Sequence, residues 1–176
     1  MFEIPIKYKQ KFAINATIDD EYSDELSQYK WHLLKAPNTF YITTNKKING
    51  TFHTLKMHRM IMEIKLSRHI YSCEYIDHVD GNGWNNCISN LRLCSSSDNI
   101  ANSKVCKRSS SGYKGVSWHK RDCKWQAYLT HKRTVYHLGY FTSKNDAAIA
   151  YNTKAKELFC EYAHLNDISN DREVKK

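Results

Sequence analysis

The chain is predicted to be an α+β protein. A β-rich N-terminal region runs into a strand–loop–strand–helix motif, and a three-stranded antiparallel sheet packed on one helix follows. Three observations predict this. Short β-branched and aromatic runs bounded by turn signals fill the region before residue 57. A Gly- and Asn-rich loop then separates two further short strands near residues 73 and 91. Beyond residue 112, alternating apolar and polar residues give way to a helical spacing headed by a capping signal.

Each element has a local reason. Phe12-Ala13-Ile14 is a candidate strand, and Asp19, Asp20, Glu21 and Asp24 make an acidic turn leading into Leu26–Trp31. Thr39–Thr44 and Thr51–Leu55 are β-rich, with the hairpin signal Asn49-Gly50 between them. Met57, Met60, Ile61 and Ile64 recur at helical spacing. Cys73–Ile76 forms a strand leading into Asp77-His78, and Asp80-Gly81-Asn82-Gly83 is a loop because Gly and Asn accept positive φ at low cost. Leu91–Cys94 alternates as a strand, and Ser95-Ser96-Ser97 caps a helix through Asn102. Lys104–Gly112 is basic and Ser-rich. It carries Lys104, Lys107 and Arg108 and no acid, and reads either as a solvated tether or as a segment tracking a phosphate backbone.

The last region is predicted as strands at Tyr113–Trp118, Lys124–Thr130 and Thr134–Leu138. Turns fall at Asp122-Cys123 and Thr130–Arg133. Ser143 and Asp146 form a capping box for a helix with Ala147, Ala150, Tyr151, Leu158 and Phe159 on one side. Alternation puts Trp125, Ala127 and Leu129 toward that helix and Lys124, Gln126, Tyr128 and Thr130 on the opposite face. On the third strand Arg133, Val135 and His137 share the outer face, while Tyr136 and Leu138 pack.

Composition narrows the function. The 176 residues are 41% apolar, enough for a core, and carry a net charge of +9 with a pI near 9.2. That balance favours a polyanionic partner. No apolar run approaches the roughly 20 residues a membrane helix needs. Met1–Pro5 has neither the basic nor the apolar segment of a signal peptide, so a cytoplasmic protein handling nucleic acid is expected. The six cysteines form no Cys-x-x-Cys pair and read as free thiols; the alternative is zinc on an irregular set such as Cys73, Cys87 and Cys94.

The chemistry concentrates in Asp77-His78-Val79-Asp80-Gly81-Asn82, then Asn85-Asn86, Asn90-Leu91 and Asn99. Asp77 and Asn99 are oxygen donors suited to Mg²⁺ or Mn²⁺. His78, with an ordinary pKa near 6.5, suits a general base. Successive strand residues face opposite ways, so a bend at the strand end is needed to bring Asp77 and His78 to one cleft. Asn90 suits a loop-holding role.

Residues 58 to 103 resemble the HNH (ββα-metal) endonucleases, in the subgroup of phage and intron-borne homing enzymes; His58-Arg59 matches a pair common there. The resemblance implies His78 as general base, Asp77 and Asn99 as metal ligands and Asn90 as the loop-ordering Asn. Ser103 stands where toxin-type members carry a further His, which disfavours zinc. Arg59 would touch a phosphate, or else take a surface or packing role.

Residues 112 to 166 resemble the plant ethylene-response-factor (Apetala-two) DNA-binding domain. Tyr113-Lys114-Gly115-Val116, Lys124-Trp125-Gln126-Ala127, His137-Leu138-Gly139-Tyr140-Phe141 and Ala163-His164-Leu165-Asn166 carry the match. The resemblance implies that the sheet lies in the major groove. Lys114, His119, Arg121, Lys124, Gln126 and Tyr128 are then DNA-contact candidates, together with Arg133 and His137. Ser117, Tyr128 and His137 replace the Arg, Glu and Trp usual in plant members, so base preference does not carry over.

The expected organisation is an N-terminal β-rich region over 1–57 packing on the nuclease and a nuclease core over 58–103. A basic linker over 104–111, a DNA-binding domain over 112–166 and a charged tail over 167–176 follow. The expected function is metal-dependent cleavage of double-stranded DNA, with no membrane role and no obligatory protein partner evident. The alternatives are a DNA-binding regulator with a decayed nuclease and an RNA-processing nuclease.

Overall fold

The computed structural model describes residues 1–8, 11–36, 40–106 and 109–169. The chain divides into two compact units, Met1–Ser96 and Ser97–Lys176. Among the described residues no helix is long and apolar enough to cross a membrane.

In the first unit, β1 (Phe2–Tyr8), β2 (Lys11–Ile18), β3 (His32–Lys35), β4 (Phe40–Ile48) and β5 (Thr51–Lys56) form one sheet, ordered β2-β1-β3-β4-β5. Neighbouring strands are antiparallel except β1 and β3, which meet in parallel at Lys7 and His32. The acidic run after β2 becomes a 3₁₀ turn over Asp20–Tyr22 and a short helix, α1 (Ser23–Ser27). Trp31 fixes the return from α1, donating its indole N–H to the Leu26 carbonyl at 2.8 Å. Asn49 and Gly50 join β4 to β5 with φ of 47° and 82°, the mirror-image turn that an Asn-Gly pair adopts readily.

Helix α2 (Met57–Leu66) follows β5 directly. Met57, Ile61 and Met62 are buried in one cluster with Ile4, Ile6, Ile18 and Ile42. Each such side chain contributes about 1.5–3 kcal/mol by leaving water. Ser67 ends the helix in the left-handed conformation, φ 49°, and donates its N–H to the Ile64 carbonyl.

Strands β6 (Tyr75–His78) and β7 (Leu91–Cys94) form an antiparallel pair. The chain between them is held by the N-terminal sheet. Thr17 on β2 donates to the Trp84 carbonyl at 2.9 Å and accepts from the Asn86 N–H at 2.8 Å. The Asp19 carboxylate accepts from the Ile88 N–H at 2.7 Å. Trp84 stacks on Phe40 with ring centres 5.9 Å apart.

Helix α3 (Ser96–Asn102) begins at the divide. The second unit holds β8 (Val116–His119), β9 (Lys124–His131) and β10 (Thr134–Phe141), antiparallel in the order β10-β9-β8. Helix α4 (Lys144–Phe159) covers one face; Ala147, Ala148 and Ala155 are fully buried on it, as is Ala127 of β9. These small side chains let helix and sheet approach closely. Ser143 caps α4 by accepting the Asn145 N–H at 3.1 Å, two residues on.

Two sequence expectations change here. Ser111 is buried, accepting the Tyr113 N–H at 3.0 Å and donating to the Val116 carbonyl at 2.7 Å. Ser111, together with Ser109, whose hydroxyl donates to the Tyr113 carbonyl at 3.2 Å, therefore belongs to a folded entry to the second unit. Lys107 and Arg108 lie outside the described residues. The turn expected over Thr130–Arg133 narrows to two residues: Lys132 and Arg133, with φ of 46° and 67°, join β9 and β10, so Arg133 lies in the turn and not on the outer face of the third strand. Left-handed backbone costs an L-residue with a Cβ about 1–2 kcal/mol.

Gly115 is required by space and by angle. Its φ is +70°, and a Cβ there would overlap the Tyr151 ring and the Tyr128 carbonyl. Gly115→Ala is expected to cost about 2–5 kcal/mol from combined strain and overpacking. Chemical denaturation of the full chain checks this; an unchanged midpoint would contradict the packing described.

Candidate active site

Asp77 and His78 sit in one unbroken ladder, Asp77 opposite Arg92 and His78 opposite Leu91. The chain bends only beyond them, where the Gly81 N–H reaches the His78 carbonyl at 2.8 Å. Asp77 is 6% exposed and His78 7% exposed, so both lie in a low-dielectric surrounding. Arg92 places Nε at 3.1 Å and Nη2 at 2.8 Å from a single oxygen of Asp77, Oδ2. This cross-strand pair orients the carboxylate.

His78 meets fully buried Asn86, whose Oδ1 lies 3.3 Å from the imidazole Nε2. Burial pushes the His78 pKa below its ordinary value, against the opposing pull of Asn86 and the Asp80 and Asp77 charges. The ring is therefore neutral at neutral pH. The Asn86 oxygen facing Nε2 favours the tautomer protonated there, in which Nδ1 is the basic nitrogen.

Asn90 closes the loop after His78. Its Nδ2 donates to Asp80 Oδ1 at 2.9 Å and to the Asn85 carbonyl at 2.8 Å, while its Oδ1 accepts the Asp80 N–H at 3.0 Å. Asn85 Nδ2 holds the other Asp80 oxygen at 2.8 Å. Burial raises the Asp80 pKa, but the bonds from Asn85, Asn82 and Asn90 outweigh it and leave the carboxyl below its ordinary range.

Behind His78 stands His58 of α2, its ring edge-on at 5.2 Å between centres. His58 is 5% exposed, and its Nδ1 has no hydrogen-bond partner among the described residues. Burial, then the neighbouring His78, Lys56 and Arg59, drive its pKa well below the ordinary value. Arg59, a phosphate candidate by sequence, is spent elsewhere. Its guanidinium donates to the carbonyls of Ile70 at 2.9 Å, Tyr71 at 3.3 Å and Glu74 at 3.0 Å, bracing the segment that feeds β6.

The first unit offers oxygen donors, the Asp77 carboxylate and the side-chain amides of the loop that follows it; Asn99, on α3, belongs to the second unit. No group of three His, Cys, Asp or Glu side chains lies together among the described residues. A cation here would draw on amide, water and substrate oxygens as well, which fits a hard ion.

On the second unit the predicted DNA-contact residues divide. Gln126 is half-buried and Lys124, Tyr128 and His137 are exposed; they alternate with buried Ala127 and Leu129, and Gln126 Nε2 lies 3.3 Å from His137 Nδ1. Arg121 Nε donates to Asp122 Oδ1 at 3.0 Å, and His119 Nδ1 is 3.2 Å from Asp122 Oδ2, so both gather at the β8–β9 turn. Lys114 is a correction. Its Nζ donates to the carbonyls of Ile100 (2.9 Å), Ala101 (2.5 Å) and Ser103 (2.8 Å), capping the end of α3. Burial lowers its pKa to about 8.

Arg92, Asn86 and His58 were not assigned roles from sequence. Cross-strand register assigns Arg92, but it depends on how the loop closes; Asn86 stood in view within the Asn85-Asn86 pair.

An Asp-His strand paired with a second strand, an Asn-braced loop between them and a helix following define a nuclease motif, and the comparisons agree. The family model for HNH endonucleases matches residues 55–101. An uncharacterized HNH endonuclease of Acanthamoeba polyphaga mimivirus is 32% identical over 143 residues, 81% of this chain and 70% of that protein. Protein 3.8 of Escherichia phage T7 is 45% identical over 56 residues, 32% of this chain and 46% of that protein. No solved structure matches the chain. The chain belongs to the HNH endonuclease family. It is thus a hydrolase of phosphodiester bonds with a nucleic-acid substrate, from a family that generally uses a divalent metal.

Two outcomes follow from this geometry. Lys114→Met is expected to lower stability by about 1–3 kcal/mol, because the carbonyls at the end of α3 lose a charged donor, and to leave duplex binding by the folded protein unchanged. Thermal melting and a binding titration separate the two. His58 gives a pH signature: unfolded, it takes up a proton near pH 6.5, while in the fold it stays neutral well below that. Stability is therefore present above about pH 6.5 and falls as pH drops below it. His58→Phe should flatten that decline by one proton in denaturant titrations between pH 7.5 and 5.

Proposed function

We propose that the chain is a homing-type endonuclease that cuts double-stranded DNA, with His78 as general base and Asp77 and Asn99 as ligands of Mg²⁺ or Mn²⁺. The observation that carries the reading is the buried, neutral His78 next to an Arg-oriented carboxylate, its Nε2 held by Asn86. Asn99 enters as second ligand through the family motif.

His78 Nδ1 takes a proton from water as the water oxygen forms its bond to phosphorus. The bond from phosphorus to the 3′ oxygen breaks, and the leaving oxygen is protonated from solvent. When bound, the cation would stabilise charge on the scissile phosphate and on that leaving oxygen. Asn86 keeps the imidazole in the required tautomer, and Asn90 keeps the loop carrying Asn86 in place. Arg92 fixes which way the Asp77 carboxylate turns.

We read the second unit as an Apetala-two-type module. Its outer sheet face, with Lys124, Gln126, Tyr128 and His137, meets DNA, and Arg121, His119 and Arg133 stand at its turns. A three-stranded sheet backed by one helix and the alternation of buried and outward residues support this reading.

The test is cleavage of supercoiled plasmid with Mg²⁺ or Mn²⁺, with EDTA as control and structured RNA as competitor. Cleavage is expected with metal and lost with EDTA. His78→Ala should reduce the rate by at least about 10²-fold, the scale of general-base catalysis, while leaving DNA binding intact. Binding without cleavage by the wild type would favour a regulator, and preferential attack on RNA would overturn the DNA assignment.

A further inference from the structure

Two tight hairpin turns among the described residues share a backbone and differ in chemistry. Asn49-Gly50 and Lys132-Arg133 each join antiparallel strands through two residues of positive φ. Asn-Gly is the pair that backbone prefers; Lys-Arg is not, because both side chains meet the left-handed clash. The flanking ladder leaves the chain no alternative. His131 pairs with Thr134, Thr130 pairs with Val135, and the His131 ring stands edge-on to Phe159 of α4 at 5.2 Å.

Nothing within the described residues offsets the strain. Lys132 and Arg133 are exposed, and neither side chain holds a hydrogen bond or ion pair among the described residues. From Cys123 to Asn145 the chain contains no Asp or Glu, while Lys124, Lys132, Arg133 and Lys144 are cationic. Strain of this kind persists where the surroundings over-determine it, and it concentrates at functional positions.

We propose that the Lys132-Arg133 turn is a rigid phosphate-contacting tip, and that its ligand is the backbone of duplex DNA lying on the outer face of the same sheet. The inference rests on the reading of the second unit as a DNA-binding module. A two-residue turn locked by its ladder presents two cations with little left to order on binding, an advantage a longer flexible loop lacks.

The test uses the full chain and a duplex oligonucleotide, with binding followed against salt. In the double variant Lys132→Asn with Arg133→Gly, the melting temperature should rise while affinity falls. The slope of log affinity against log salt should become shallower by about two, one unit for each lost phosphate contact. Lys132→Gln with Arg133→Gln keeps the strain and removes the charge, so affinity should fall equally with no gain in melting temperature. Unchanged affinity and slope in both variants would overturn the proposed contact, and an Asn-Gly variant no more stable than wild type would overturn the strain. Gln126→Ala with His137→Ala separates the two levels. If it weakens binding while the turn variants do not, the turn proposal alone fails; if none of the variants weakens binding, the DNA-binding reading of the second unit fails as well.

Discussion

The reciprocal pairing of Asp80 with Asn90 is the contact on which the Asp77-His78 strand pair depends. The Asp80 N–H reaches the Asn90 oxygen and the Asn90 amide reaches back to the Asp80 carboxylate, at 3.0 and 2.9 Å. The Val79 N–H adds a bond to the Asn90 carbonyl at 2.9 Å. Together they join the end of one strand to the start of the next and fix the length of chain between them. Asn86 lies within that length, and the direction of the His78 ring follows from Asn86. Asn90 is buried and Asp80 exposed, so removing the Asp80 carboxylate would leave the buried Asn90 amide short of a partner.

Electrostatics divide the labour. The Asp77 carboxylate is met at once by Arg92, and His78 and His58 are neutral. The excess positive charge of the chain, +9 in all, is carried elsewhere. On the proposed assignment of His78 and Asp77, long-range attraction of a polyanion and the chemistry at its phosphodiester fall to different side chains. In the second unit even a basic residue can belong to the fold rather than to the ligand: Lys114 holds three carbonyls at the end of a helix.

Much of this was legible in the sequence. The hairpin at Asn49-Gly50, the helix from Met57, the strand–loop–strand–helix motif and the alternating sheet each have strong local signals, and local preference agrees with the fold there. What sequence could not give were long-range or register-dependent facts. Arg92 faces Asp77 only because the loop closes to one particular length. Arg59 and Lys114 read as surface cations because nothing local reveals the carbonyls they reach, eleven to fifteen residues away in sequence. The turn at Thr130–Arg133 was legible, but grouping Arg133 with the outward residues of the third strand was not sustained, because Lys-Arg carries none of the usual signals of a two-residue mirror-image turn.

The strap from Thr17 to the loop between β6 and β7 has a consequence for transplanting this nuclease. Two backbone bonds from Thr17 and one from the Asp19 carboxylate hold Trp84, Asn86 and Ile88. The shortest segment that bears the family signature, residues 55–101, therefore leaves behind part of the wall that shapes its own loop. A chimera built by grafting that segment onto another DNA-binding scaffold would have to bring the second N-terminal strand with it, or supply an equivalent edge for the loop to lean on.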